Sequence, residues 1–148
     1  MVKPSDPITY KDAGVDIDAV TESLHSVGKL AASTHDARVL TGLGSFGALF
    51  RPDFSGMKEP VLVGSTDGVG TKLLVARRAQ RFDTVGADLV NHCVNDILVM
   101  GAVPLFFMDY VAAGHFGPGL LEGIVEGFAR ACREQGVPLI GGESAVGS

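Results

Sequence analysis

Twice along this chain a segment with helical periodicity stops at a glycine, meets a proline nearby and gives way to a short apolar run. The first runs from Asp83 to Met100, where Val85, Leu89, Cys93, Ile97 and Met100 repeat on one face. Gly101 ends it, Pro104 follows, and Leu105 to Ala113 reads as a strand. The second runs from Gly117 to Gln135, stops at Gly136 and passes Pro138 into a strand over Val137 to Gly142. Upstream, Asp18 to Ala32 reads as a helix, with Asp18 as N-cap and Val20, Leu24, Val27 and Leu30 in period. Thr41 to Phe50 is a glycine-rich turn that ends in a short strand-like piece, and Pro52 to Pro60 is a polar loop. The apolar run from Pro60 to Ser65, centred on Val61-Leu62-Val63, suits a strand buried on both faces. Thr71 to Gln80 then reads as a short helix. The order β, α, α, β, α, β argues for one domain of α/β or α+β class. Its expected extent is 18–148, preceded by a mobile arm over 1–17 in which Pro4, Pro7 and Gly14 break any period.

Composition narrows the function classes. At 148 residues the chain holds one ordinary domain, and 46% apolar against 20% charged residues excludes a solvating, disordered chain. Two cysteines, Cys93 and Cys132, are too few for a disulfide scaffold and read as small buried apolar residues. The net charge of -5 argues against a nucleic-acid footprint. No apolar run approaches the ~20 residues that span a bilayer, and no signal-peptide pattern opens the chain, so a cytoplasmic protein is expected. A polyanionic ligand would have to be held locally, by main-chain N–H groups, a few cations, or metal ions seated on carboxylates. Twenty glycines, clustered, suggest loops that approach a ligand closely.

The strongest chemical signal follows the apolar run: Thr66-Asp67-Gly68-Val69-Gly70-Thr71-Lys72. A carboxylate at Asp67 suits a hard cation such as Mg²⁺. Gly68 and Gly70 let main-chain N–H groups turn toward an anion, and Thr71 and Lys72 open a helix whose N-terminus favours phosphate. The Walker spacing is absent, so this is not a P-loop. A second signal lies on the long helix, where Asp88, His92 and Asp96 stand at i, i+4 and i+8 with Asn95 alongside. Asp96 lies near the helix C-terminus, where the macrodipole disfavours an anion and a cation would compensate. His92 reads as part of a solvated carboxylate–histidine face. Glu143 stands at the tip of the last strand after Gly141 and Gly142, and Asp109 interrupts an aromatic strand. For each, an ordinary solvated or core role stands beside the functional one. No zinc-spaced Cys/His set and no nucleophile elbow is present.

Taken in series, these stretches resemble the N-terminal half of the phosphoribosylformylglycinamidine cyclo-ligase (aminoimidazole ribonucleotide synthetase) family. The resemblance rests on Tyr10 to Asp18, Gly42-Leu43-Gly44-Ser45-Phe46-Gly47-Ala48-Leu49, Asp67 to Lys72, Cys93-Val94-Asn95-Asp96, Pro104 to Tyr110 and Gly141-Gly142-Glu143. It implies an ATP-dependent ring closure of formylglycinamidine ribonucleotide in purine biosynthesis. It further implies a mixed, largely antiparallel sheet with helices on one face, and two such sheets pairing across a homodimer. By position, Asp67, Asp96 and Glu143 resemble Mg²⁺-ATP ligands, with Asn95 close by. Gly68, Gly70, Thr71 and Lys72 resemble the phosphate-contacting turn, and Gly44 and Gly47 part of the nucleotide-facing loop. Lys72 and Asp96 are the expected catalytic pair. The family is more than twice this length and continues Gly-Gly-Glu-Thr-Ala-Glu-Met-Pro, where this chain reads Gly141-Gly142-Glu143-Ser144-Ala145-Val146-Gly147-Ser148. The expectation is therefore an N-terminal fragment without its C-terminal domain, inactive or weakly active alone. Related alternatives are a selenophosphate synthetase or thiamine-monophosphate kinase type of enzyme, or a non-catalytic dimerising module.

Overall fold

The computed structural model describes residues 17–146 other than Leu43, Ser45, Phe46, His115 and Pro118, with backbone alone at 17–20 and 146. Of the expected arm over 1–17, residues 1–16 lie outside what is described; Ile17 already belongs to a helix, and Asp18, the expected N-cap, stands inside that helix instead. The elements run α1 (Ile17–Ala32), α2 (Lys72–Ala79), α3 (Asp83–Leu98), β1 (Phe107–Ala113), α4 (Leu120–Gln135) and β2 (Leu139–Val146).

The best-buried element is α4. Leu121, Val125, Phe128, Ala129 and Cys132 recur at helical spacing and are all buried. Leu121, Val125, Phe128 and Cys132 pack in one cluster with Leu89 and Val90 of α3, Phe107 and Val111 of β1, and Leu139 of β2. Glycine lets α3 and α4 approach closely. A Cβ on Gly86 would strike the Ile124 carbonyl oxygen, and one on Gly127 would strike the Asp83 carbonyl oxygen. The helix ends where expected: Gly136 takes a left-handed φ of 65° and its N–H returns to carbonyls of the last turn. Gly101 likewise has φ 73°.

β1 and β2 form one two-stranded sheet, and they are parallel. This corrects the largely antiparallel sheet that the resemblance implied. The two strands are consecutive and joined through α4, a crossover that makes the pair parallel. Antiparallel pairing among the described residues outside this sheet is a single bridge, Val39 to Phe50. β2 also runs further than its apolar pattern, to Val146, because β1 offers partners as far as Ala113. Its start is held from the turn after α1: Leu139 N–H donates to Thr34 Oγ1 at 2.8 Å, and the His35 ring lies 2.8 Å from the Leu139 carbonyl.

The strand expected over Pro60–Ser65 does not form. Residues 61–68 are irregular, and Val61, Leu62 and Val63 are 83%, 70% and 39% exposed. An apolar run becomes a buried strand only where a neighbouring strand supplies hydrogen bonds, and none among the described residues pairs with it. No described helix is long and apolar enough to cross a membrane.

Candidate metal and phosphate site

The unpaired segment lies along α3 and is attached to it by three polar contacts. Ser65 Oγ donates to Asp96 Oδ2 at 2.9 Å. His92 Nε2 lies 2.9 Å from Asp67 Oδ2. Lys72 Nζ donates to Asp88 Oδ2 at 3.0 Å. Since Asp88, His92 and Asp96 occupy successive turns of one helix, the segment descends α3 one turn per contact. Val69, in the middle of the glycine-rich turn, packs against the core and pins it from the other side. Each polar contact is solvent-exposed and weak by itself. Their effect is to set which residue of the segment faces which turn of the helix.

The middle contact draws a cluster together. One ligand atom each from Asp67, His92 and Asp96 lies within 4.8 Å of the others. His92 Nε2 is 3.9 Å from Asp96 Oδ1. Asp67 is oriented by its neighbour, whose Gly68 N–H donates to Oδ1 at 2.7 Å. That bond, with the nearby His92 second, holds the Asp67 carboxyl below the usual carboxylate range. Two carboxylates and an imidazole this close suit a divalent cation, which accepts oxygen and nitrogen donors at ~2.0–2.6 Å.

The turn beyond Asp67 has the expected backbone. Gly70 takes φ 72°, a conformation that glycine adopts without strain, and Thr71 is the N-cap of α2 with no side-chain capping bond. Lys72 is already engaged by Asp88. On the other side of the turn, Val69, Leu73, Leu74, Val85, Leu89 and Phe128 help line an open, mainly apolar cleft of about 1080 Å³.

Other expected residues lie elsewhere. Glu143 is exposed on β2 opposite Tyr110, outside the three-residue group. Asn95 lines a separate groove with Arg38, Asn91, Leu98 and Gln135, one helical face away from Asp96. Gly44, with φ 108°, and Gly47 lie in a loop whose base is closed by Leu40 N–H to Leu49 O at 2.8 Å and Leu49 N–H to Thr41 Oγ1 at 2.9 Å. Asp109 faces the core from β1, where burial pushes its carboxyl up to about 6. Cys93 and Cys132 are free thiols, half-buried and buried; burial raises both, Cys132 to about 12, as befits packing residues. From the sequence His92 reads as part of a solvated face, and Ser65 only as the end of an apolar run. The i, i+4 spacing to Asp96 was the available signal for His92; Ser65 carried none.

The chain is similar in sequence to known proteins. The family model described as AIR synthase related protein, N-terminal domain, matches residues 35–148. The chain is 49% identical over 138 residues to a phosphoribosylformylglycinamidine cyclo-ligase of Finegoldia magna, covering 93% of this chain and 40% of that protein. The proteins of the same name from Lactobacillus delbrueckii subsp. bulgaricus and Trichlorobacter lovleyi are 50% and 53% identical, covering 92% and 93% of this chain and 39% of each relative. The chain thus spans about two fifths of the length of the relatives it matches.

Proposed function

Since this chain belongs to the AIR synthase related protein family through its N-terminal domain, we propose that it forms the Mg²⁺-ATP-binding half of a phosphoribosylformylglycinamidine cyclo-ligase. The observation that carries the reading is the convergence of Asp67 and Asp96 on one point, from a turn and a helix 29 residues apart in numbering. Asp67 and Asp96 would hold the cation, and Glu143, which stands outside their group here, would have to move toward it to serve as a further ligand. A bound cation would neutralise phosphate oxygens of the nucleotide. Main-chain N–H groups at Gly70 and the start of α2 would receive the phosphates, joined by that of Gly68 once it leaves Asp67 Oδ1, with Thr71 and Lys72 at that helix entrance. Gly44 and Gly47 would border the nucleotide, and Asn95 would act from the neighbouring helix face. When bound, ATP supplies the phosphoryl group that turns the formyl amide oxygen of formylglycinamidine ribonucleotide into a leaving group. The substrate's amidine nitrogen then closes the ring on that carbon as phosphate departs. Lys72 would be released from Asp88 to stabilise the transferred charge.

Because the chain spans two fifths of its relatives, nucleotide binding is the activity assigned to it first, with weak turnover expected in isolation. A homodimer fits the same reading: Met108 and Tyr110 are exposed on the outer face of β1, where a second copy's sheet could cover them. In this proposal both belong to a cytoplasmic, biosynthetic enzyme.

Calorimetry of the 148-residue chain with ATP, with and without Mg²⁺, tests the site. Binding should depend on Mg²⁺ and fall at least about tenfold in Asp67→Asn, with a smaller loss in Glu143→Gln. Equal ATP affinity with and without Mg²⁺, unchanged in Asp67→Asn, would overturn it.

A further inference from the structure

The helices of this fold cover more than its strands fill. α4 packs against both α1 and α3. Helices packed side by side stand ~8–10 Å apart, so three of them reach over roughly 16–20 Å between the outer axes. The sheet beneath them has two strands, which stand ~4.8 Å apart. α1 and α4 both meet β2, so the α3 side of the layer is the side short of strand. The apolar cleft of about 1080 Å³ lies there, with Val85 and Leu89 of α3, Phe128 of α4 and Leu73 and Leu74 of α2 in its walls. It also meets residues 111–114, four in a row. Side chains alternate between the two faces of a strand, so a cleft that meets consecutive residues runs along the strand's edge. That edge of β1 is free, because β2 is its one strand partner among the described residues. Residues 61–67, which lead into the cleft wall at Val69, also form no backbone hydrogen bond among the described residues. Unpaired N–H and C=O groups thus run along one apolar cleft on β1 and lead into it from 61–67, the arrangement of a strand acceptor.

We propose that this cleft accepts one extended apolar strand in trans, supplied by the part of a cyclo-ligase that lies beyond the two fifths matched here. The strand pairs with the free edge of β1 and offers its own far edge to the Val61–Val63 run, which then becomes the strand its apolar pattern suits. Its inward side chains alternate with outward ones and are apolar where they meet Val85, Leu89 and Phe128. Its length is that of β1, seven residues. The inference goes beyond the nucleotide assignment and does not rest on it: the acceptor is built from the edge of β1 and apolar walls, with none of the cation cluster in it.

The test uses the 148-residue chain without nucleotide or metal. Overlapping synthetic peptides covering the unmatched remainder of the Trichlorobacter lovleyi cyclo-ligase are added at saturating concentration, and backbone amide exchange is followed residue by residue. At least one peptide with alternating apolar residues should slow exchange along β1 and at Val61–Val63 together, by about tenfold or more. Leu74→Asp puts a charge in the cleft at an exposed position and should abolish that protection. Leu98→Asp, equally exposed but in the separate groove, should leave it intact. Three results would each overturn the proposal. One is that no peptide slows exchange along β1. Another is protection that persists undiminished in Leu74→Asp. The third is protection of the β1 edge that appears without peptide and grows with protein concentration, which would assign the cleft to a second copy of this chain. Loss of Mg²⁺-dependent ATP binding bears on none of these readouts, so the two readings fail separately.

Discussion

Asp109 lies on the inner face of β1, between the buried Phe107 and Val111 and opposite Gly142 on β2. A Cβ on Gly142 would strike the Asp109 carboxylate, so glycine is what lets an acid fit there. Burial raises its carboxyl from 3.8 to about 6. The folded state therefore binds the proton more tightly than the unfolded chain does. The associated stability is fully present below about pH 4 and is lost as pH rises through about 6. Asp109→Asn should abolish that loss and stabilise the chain at pH 7.5 by up to about 3 kcal/mol, while changing little at pH 4. Urea unfolding at both pH values checks it; an equal effect at the two would remove burial as the cause. The pattern of strand alternation was enough to put Asp109 on the face of Phe107 and Val111. It did not say whether that face was wet, because the answer depends on α4 lying over it. Glycines were similarly double-edged. Gly70, Gly101 and Gly136 are the turn and stop residues their contexts implied, while Gly86 and Gly127 serve helix packing, which no local pattern announces.

That packing governs the helices. With Gly127 against the Asp83 carbonyl, Gly127→Ala should force α3 and α4 apart and destabilise the fold by about 1–3 kcal/mol. Gly123→Ala in the same helix has open space and should stabilise it slightly by improved helix propensity. Thermal melts of the two variants should move in opposite directions. The four helices were legible within a few residues because amphipathic periodicity and glycine stops are local properties. Strands were not equally legible. β2 outlasts its apolar run through Glu143 and Ser144 because β1 pairs with it, and the run at Val61–Val63 stays irregular for want of a partner. The cluster was readable in its acids, Asp67 and Asp96. Its histidine and Ser65 depended on how the segment lies along α3, and Glu143 stands apart for the same kind of reason.

Among the described residues, exposed apolar side chains include the Val61–Val63 run, Leu73, Leu74 and Val75 of α2, Leu98, Val99 and Met100 at the end of α3, and Met108 and Tyr110 of the sheet's outer face. A surface of this extent promotes association. Leu62→Lys should leave the unfolding free energy within about 0.5 kcal/mol of wild type while lowering dye binding and light scattering. A fall of several degrees in melting temperature would show instead that Leu62 is covered in solution.

The sixteen residues of α3 perform two duties at once. One side anchors Val85, Leu89 and Val90 in the interior, and another carries Asp88, His92 and Asp96. The helix is thus a rigid gauge whose setting is decided inside the protein and displayed outside it. An interior change that rolled this cylinder by a few degrees would reposition all three polar groups together, so cation affinity should register repacking at distant Val90 before any ligand had been touched.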